Sequence, residues 1–193
     1  MNSRHLKVLL ILSRLIGITS FLKVPQTSGS NIYYERSKTM QNKMLTLFLI
    51  CGLPGAGKTT LAKTLEETQH ALRLTPDEWM AKIVGDGFDE EKRSAVEAIM
   101  WEIGQRCLSL GVNVILDFGF WSRTERDDYR ARAKKIGAHT ELFYLNVPLE
   151  EILRRLHARN ETAPENTFHV TEAQLRLWSS MFEVPADDEI TST

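Results

Sequence analysis

The sequence predicts an α/β fold in three layers, with a central parallel sheet and helices on both faces. Three observations carry the prediction. Short apolar runs alternate with longer amphipathic stretches, the order that builds a parallel sheet through right-handed crossovers. The first run, Thr46 to Cys51 (TLFLIC), shows no polar alternation, as expected of a strand buried on both faces. The amphipathic stretches open on Gly-rich, capping or proline signals that separate them from the strands before them.

The elements follow in order. Helical patterning begins at Lys58 and runs to about Thr68, and Ala71 to Leu74 is a second short strand. Thr75-Pro76-Asp77-Glu78 reads as a helix start, with Thr75 as the cap, Pro76 in the first helical position and Glu78 closing a T-x-x-E box. A long amphipathic helix is expected from about Asp89 to Leu110, closed by Gly111. Val112 to Asp117 is the third strand, and Ser122 to Glu125 is a second capping box, opening a helix that runs to Gly137. Thr140 to Val147 is the fourth strand. Pro148 starts a helix reaching about Asn160, a polar stretch spans Glu161 to Asn166, and a last helix covers about Thr171 to Phe182. After Glu183 there is no further apolar run, so a fifth strand is not expected.

Residues 1–43 differ from this pattern and read as a poorly specified extension, with the folded unit at 44–185 and a tail at 186–193. The apolar stretch Leu6 to Val24 is interrupted by Arg14, which argues against both a membrane span and a secretory signal. Pro25 to Asn42 is polar and turn-prone without a clear period. Met44, directly before the first strand, is a natural start for the folded unit. Of 193 residues 42% are hydrophobic, enough for one domain core. Twenty-four Lys and Arg face 25 Asp and Glu, a net charge of −1, which argues against a chain built mainly to hold nucleic acid. Cys51 and Cys107, the two cysteines, read as reduced thiols in a cytoplasmic protein.

Gly52-Leu53-Pro54-Gly55-Ala56-Gly57-Lys58-Thr59 fits G-x-x-x-x-G-K-[ST] at every fixed position, between a buried strand and a helix. The chemistry explains the spacing. Glycines let the backbone fold around phosphates so that several N–H groups point inward, and the helix that follows adds its positive end. Lys58 is expected at the β- and γ-phosphates and Thr59 on Mg²⁺, with Thr60 beside it. The expected ligand is ATP with Mg²⁺, and the fold class becomes a P-loop NTPase.

Asp117 ends an apolar run, which sets it at the carboxyl edge of the sheet, where a carboxylate can hold Mg²⁺ directly or through water. Asp77 lies in the first turn of a helix, where the dipole favours an acid in any case. The same position suits a base for an acceptor hydroxyl. On the helix after the fourth strand, Arg155 has Glu151 as an i,i+4 partner and reads as a solvated face. Arg159, beside the polar stretch, is the candidate for stabilising the transition state. Arg123 and Arg126 are candidates for holding the acceptor. Trp121 either walls an acceptor site or leads into the Ser122 cap.

GLPGAGKTT, LTPDEW, VILDFGFWSRTERDDYR and RRLHARN, in that order, resemble the small P-loop kinases grouped with AAA-family ATPases, relatives of zeta toxins, chloramphenicol phosphotransferases and polynucleotide 5′-kinases. The resemblance spans about Thr46 to Pro185. It implies that the Asp117 strand neighbours the P-loop strand, that Asp77 is the acceptor-side aspartate, and that Arg154 to Asn166 forms a short lid. The expectation is a phosphoryl transfer from ATP to a hydroxyl of a small molecule. The alternatives are a polynucleotide 5′-kinase, against which the neutral charge argues, and a nucleotide-dependent switch. Neither an N-K-x-D guanine motif nor an LSGGQ signature follows the P-loop.

Overall fold

The computed structural model of the chain describes residues 20–24, 32–36, 45–162 and 168–190. The chain divides into two units, Met1–Lys43 and Met44–Thr193. In the first, β1 (Ser20–Val24) and β2 (Ile32–Arg36) pair antiparallel, with Ser20 opposite Arg36 and Val24 opposite Ile32. The strand β2 falls within a stretch that reads as turn-prone. Its Ile-Tyr-Tyr core has the β-branched and aromatic content that favours strands, and the polar flanks hide it. Most of the apolar stretch from Leu6, at 6–19, lies outside the described residues.

In the second unit β3 (Thr46–Cys51) is fully buried and leads into the P-loop, and α1 (Lys58–Gln69) follows it. Then come β4 (Ala71–Leu74), the single turn α2 (Pro76–Trp79) with a π-turn at Met80–Val84, and α3 (Glu90–Ser109). Next are β5 (Asn113–Gly119), α4 (Arg123–Lys135), β6 (His139–Tyr144), α5 (Leu149–Thr162) and α6 (Glu172–Met181). The four strands β3 to β6 are parallel in the order β4-β5-β3-β6, so the Asp117 strand does neighbour the P-loop strand.

Strand β3 explains the three layers. Leu47, Leu49 and Cys51 pack on one face with Met80, Met100, Trp101 and Leu108, while Phe48 and Ile50 pack on the other with Ala62 and Leu65 of α1. Each such Leu or Ile, fully buried, contributes about 1.5–3 kcal/mol. A third cluster joins α5 and α6 to Ala56 of the P-loop through Ile152, Leu156 and Leu175.

Two features position the site. Register between β3 and β5 is regular from Leu47↔Val114 to Leu49↔Leu116, then Cys51 pairs with Gly119, one residue further along β5 than the ladder predicts. The bulge falls between Leu116 and Gly119, at Asp117 and Phe118, and re-aims the strand end beside the P-loop. The second is a correction. Thr75 does not cap α2 with its side chain. Its hydroxyl instead accepts from Arg73 Nη1 at 2.5 Å and donates to Asp117 Oδ2 at 3.3 Å, and Glu78 pairs with Arg73 at 2.9 Å. Charge-assisted bonds to a half-buried arginine outweigh a neutral cap. The Ser122 cap does form, accepting from Glu125 N, while the Glu125 carboxylate reaches back to Trp121 N at 3.1 Å. On α6 a full capping box joins Thr171 and Gln174.

Candidate active site

The P-loop backbone takes the turn that its glycines permit. Gly55 (φ 85°) and Gly57 (φ 103°) lie in the left-handed region. A Cβ on Gly55 would also stand 3.0 Å from Ile152 Cγ2, so the loop closes against α5 only because that atom is absent. Lys58 Nζ donates to Leu53 O at 3.0 Å, folded back over the loop. Burial lowers the Lys58 ammonium below its ordinary range, with Asp117 and then Asp77 opposing that shift. Those same two carboxylates are the acids singled out at strand ends.

The Thr59 hydroxyl donates to Asp117 Oδ2 at 2.7 Å. Asp117 is 5% exposed, and its other oxygen, Oδ1, is buried without a hydrogen-bond partner among the described residues. Burial raises the Asp117 carboxyl, against Lys58 and the hydrogen bonds of Thr59 and Thr75. An orphaned buried carboxylate oxygen beside a P-loop hydroxyl is a donor set that fits a hard cation.

Asp77, in the first turn of α2, accepts from Arg93 Nη2 at 2.5 Å through its Oδ1. Arg93 also donates to Gly87 O at 3.3 Å and stands 3.7 Å from Glu97. Burial pushes the Glu97 carboxyl up to about 7, with Arg93 pulling it down. Sequence reasoning missed Arg93, because sixteen residues separate it from Asp77 and no spacing rule links them.

The profile of an AAA domain family matches residues 47–185, well over half of the chain. The chain belongs to this AAA domain family. Solved structures agree on the fold of this AAA domain. A candidate kinase from Chloroflexus aurantiacus superimposes with a TM-score of 0.62 at 16% identity, covering 75% of this chain and 83% of that one. A gluconokinase from Sinorhizobium meliloti gives 0.54 at 17% identity, covering 76% and 79%. A chain of the Pnkp1/Rnl/Hen1 RNA repair complex gives 0.56 at 21% identity, and there the AAA domain covers 76% of its own length but only 46% of the other. No curated protein matches the chain in sequence. The family match and these superpositions agree on the fold, a parallel α/β sheet with the P-loop between its β3 strand and the helix that follows.

Other residues of the AAA domain fall into two groups. On α5, Arg155 Nη1 donates to Ala56 O at 3.2 Å while Nε keeps Glu151 at 2.7 Å. The solvated-face reading of Arg155 is therefore incomplete: the helix also ties down the P-loop. Arg159 donates from Nη2 to Phe168 O at 3.1 Å and lies in the field of both Lys58 and Asp77. Part of the expected lid, 163–167, lies outside the described residues.

Arg126 and Arg123 require correction as acceptor-binding residues. Arg126 is fully buried and bidentate to Glu189, with Nε–Oε2 at 2.7 Å and Nη2–Oε1 at 2.9 Å. Arg123 pairs with Asp188 at 2.7 Å on the surface. The reason is the segment from Glu183 to Glu189, which turns back over the start of α4; without a local period, nothing in the sequence announces it. Trp121 packs close to Gly119 and meets Trp178 at 5.6 Å between ring centroids, so its neighbour is another aromatic ring. A cavity of about 420 Å³ between α5 and the approach to α6 is lined by His157, Asn160 and His169, away from Lys58 and Asp117, and marks no part of this site. Among the described residues no helix is long and apolar enough to cross a membrane.

Proposed function

We propose that the chain is a kinase that transfers the γ-phosphoryl group of ATP to a hydroxyl of a small-molecule acceptor. The observation that carries this reading is Asp77: a carboxylate held by Arg93 at 2.5 Å, within the fields of Lys58 and Arg159, across from the Thr59–Asp117 pair. In the reaction the acceptor O–H gives its proton to the Asp77 carboxylate. The oxygen attacks the γ-phosphorus, the bond to the β,γ-bridging oxygen breaks, and ADP leaves. Lys58 and Arg159 offset the charge that develops on the transferring group. Mg²⁺ held by Thr59 and Asp117 would supply charge neutralisation on the phosphate oxygens.

The acceptor side favours a small molecule over a polynucleotide. Asp77 and Glu125 both act electrostatically on Glu97, and Arg93 is already committed to Asp77. A phosphate backbone approaching the Asp77 and Glu125 carboxylates would be repelled, whereas hydroxyl groups find acceptors. Dependence on ATP is consistent with a cytoplasmic site of action. The test is incubation with γ-labelled ATP, Mg²⁺ and a metabolite extract, with Lys58→Ala as control. A labelled organic product, absent in the control, supports the reading. Labelled inorganic phosphate alone would sink it and leave a nucleotide-dependent switch.

A further inference from the structure

Phe120 is the residue that requires explanation. It follows the strand that carries Asp117 and is 1% exposed, yet its φ is 47°, a region costly for a side chain with a Cβ. Its ring is stacked with Phe118 at 5.7 Å and edge-on to Tyr129 at 5.2 Å. Its carbonyl accepts twice, from Arg126 Nη1 at 3.1 Å and from Cys51 Sγ at 3.2 Å. The adjacent Gly119 carbonyl accepts from Gly52 N, the first residue of the P-loop, at 3.0 Å. The joint between the Asp117 strand and the P-loop is thus pinned from below by one guanidinium.

That guanidinium is set in turn by the segment 183–189. Arg126 Nη1 also donates to Glu183 O at 2.9 Å, and its other nitrogens take both oxygens of Glu189. Glu189 is held by Ala186 N at 3.1 Å and Arg130 at 3.1 Å, and Glu183 N returns to Trp121 O at 2.9 Å. Every polar atom of the segment named here is spent on Arg126, Arg130, the Trp121 backbone or the segment itself. We infer that Glu189 is a positioning residue: acting through Arg126 and the Phe120 carbonyl, it fixes the loop after Asp117 against the P-loop, and so sets how the metal-side carboxylate meets bound nucleotide. The inference rests on the nucleotide-site reading of Asp117 and Thr59.

Three variants separate positioning from plain stability. Glu189→Ala leaves a buried guanidinium uncompensated, so both melting temperature and turnover should fall. Replacing both partners, Arg126→Met with Glu189→Leu, removes the buried charges and should return most of the melting temperature. It does not return the bonds to Phe120 and Glu183. Turnover of ATP should therefore stay down by about 10²-fold, the scale of a misplaced catalytic group, with the KM for ATP changed far less. Arg126→Lys keeps the ion pair but cannot span Glu189, Phe120 and Glu183 together. It should melt below wild type but above Glu189→Ala, because the charge keeps a partner while buried acceptors lose theirs, and show the same loss of turnover. Alkylation of Cys51, which shares the Phe120 carbonyl, gives a readout independent of turnover and should accelerate in both variants. Full recovery of turnover in whichever of these two folds, or unchanged Cys51 alkylation, would overturn the inference. If the wild-type protein binds no ATP, the nucleotide-site reading fails first, and the clamp is judged on alkylation alone.

Discussion

Thr59 Oγ1 stands 2.7 Å from Oδ2 of Asp117, although the two residues belong to different crossovers, 58 positions apart in the chain. Parallel pairing of β3 with β5 brings them together, because both residues leave the carboxyl edge of adjacent strands. Among the described residues Asp117 Oδ1 remains buried and unbonded beside that contact. The pair therefore offers a hydroxyl and a carboxylate with an unspent oxygen, the hard oxygen ligands that a divalent cation takes alongside water and phosphate.

Asp117→Asn should lower the apparent affinity for Mg²⁺ in the presence of ATP by at least about 10-fold, while metal-free ATP binds as well as before or better. Removing a negative charge next to the phosphates accounts for the second half. Calorimetric titration of ATP with and without Mg²⁺ checks it. An unchanged magnesium dependence would remove Asp117 from the metal site.

Asp77→Asn should lower kcat by about 10²-fold with little change in ATP affinity, as expected of a base for the acceptor hydroxyl. Arg93→Ala should lower kcat by a smaller factor, because the carboxylate remains but loses the partner 2.5 Å away. Steady-state kinetics on both variants decide the point. Equal losses in ATP affinity would return Asp77 to a structural helix start.

The two arginines of α5 should separate in kinetics. Arg155 touches the P-loop backbone at Ala56 O, a contact present before any reaction, so Arg155→Ala should chiefly raise the KM for ATP. Arg159→Ala should chiefly lower kcat, as expected of a cation acting on developing charge. The reverse split would exchange their roles.

Glu97 gives a pH signature. Its carboxyl is raised by burial from 4.5 to about 7, so the folded protein holds a proton that the unfolded chain releases near 4.5. Stability from this group is therefore complete below about pH 4.5 and is lost as pH rises toward 7. Glu97→Gln keeps the neutral shape, so its melting temperature should match wild type in mild acid and exceed it at pH 8. Parallel melts at the two pH values test this, and a constant offset would contradict it.

A chain beginning at Met44 should fold and bind ATP as the full chain does. Met44–Thr193 is a unit by its own contacts and holds three core clusters of its own. Paired melts with and without ATP and Mg²⁺ read the result. A much lower melting temperature in the shorter chain would show that 1–43 packs on the domain.

The Lys58–Thr59–Asp117 cluster was legible because its signals are local: Lys58 and Thr59 sit in one octapeptide, and Asp117 ends the apolar run Val112 to Leu116, which only Asn113 interrupts. What sequence patterns missed is long-range. Arg93 reaches Asp77 across the π-turn, Arg155 reaches Ala56 from 99 residues away, and Arg126 is claimed by Glu189 from 63. An arginine near a catalytic loop looks the same in sequence whether it faces a substrate or an interior carboxylate. Thr75 misled in a related way, since the box pattern was intact but Arg73 offered its members stronger partners.

The Cys51 thiol donates to Phe120 O, and burial pushes its pKa up to about 12. At neutral pH it is neither exposed nor a thiolate, so reagents cannot attack it in the folded protein. Cys107 is only half-buried on α3. A labelling time course should accordingly show two phases, a prompt one from Cys107 and a slow one from Cys51. The slow phase is a clock: it advances only when the floor of the phosphate loop opens. A single mass measurement over time would then record the breathing of this floor in a protein carrying no added probe.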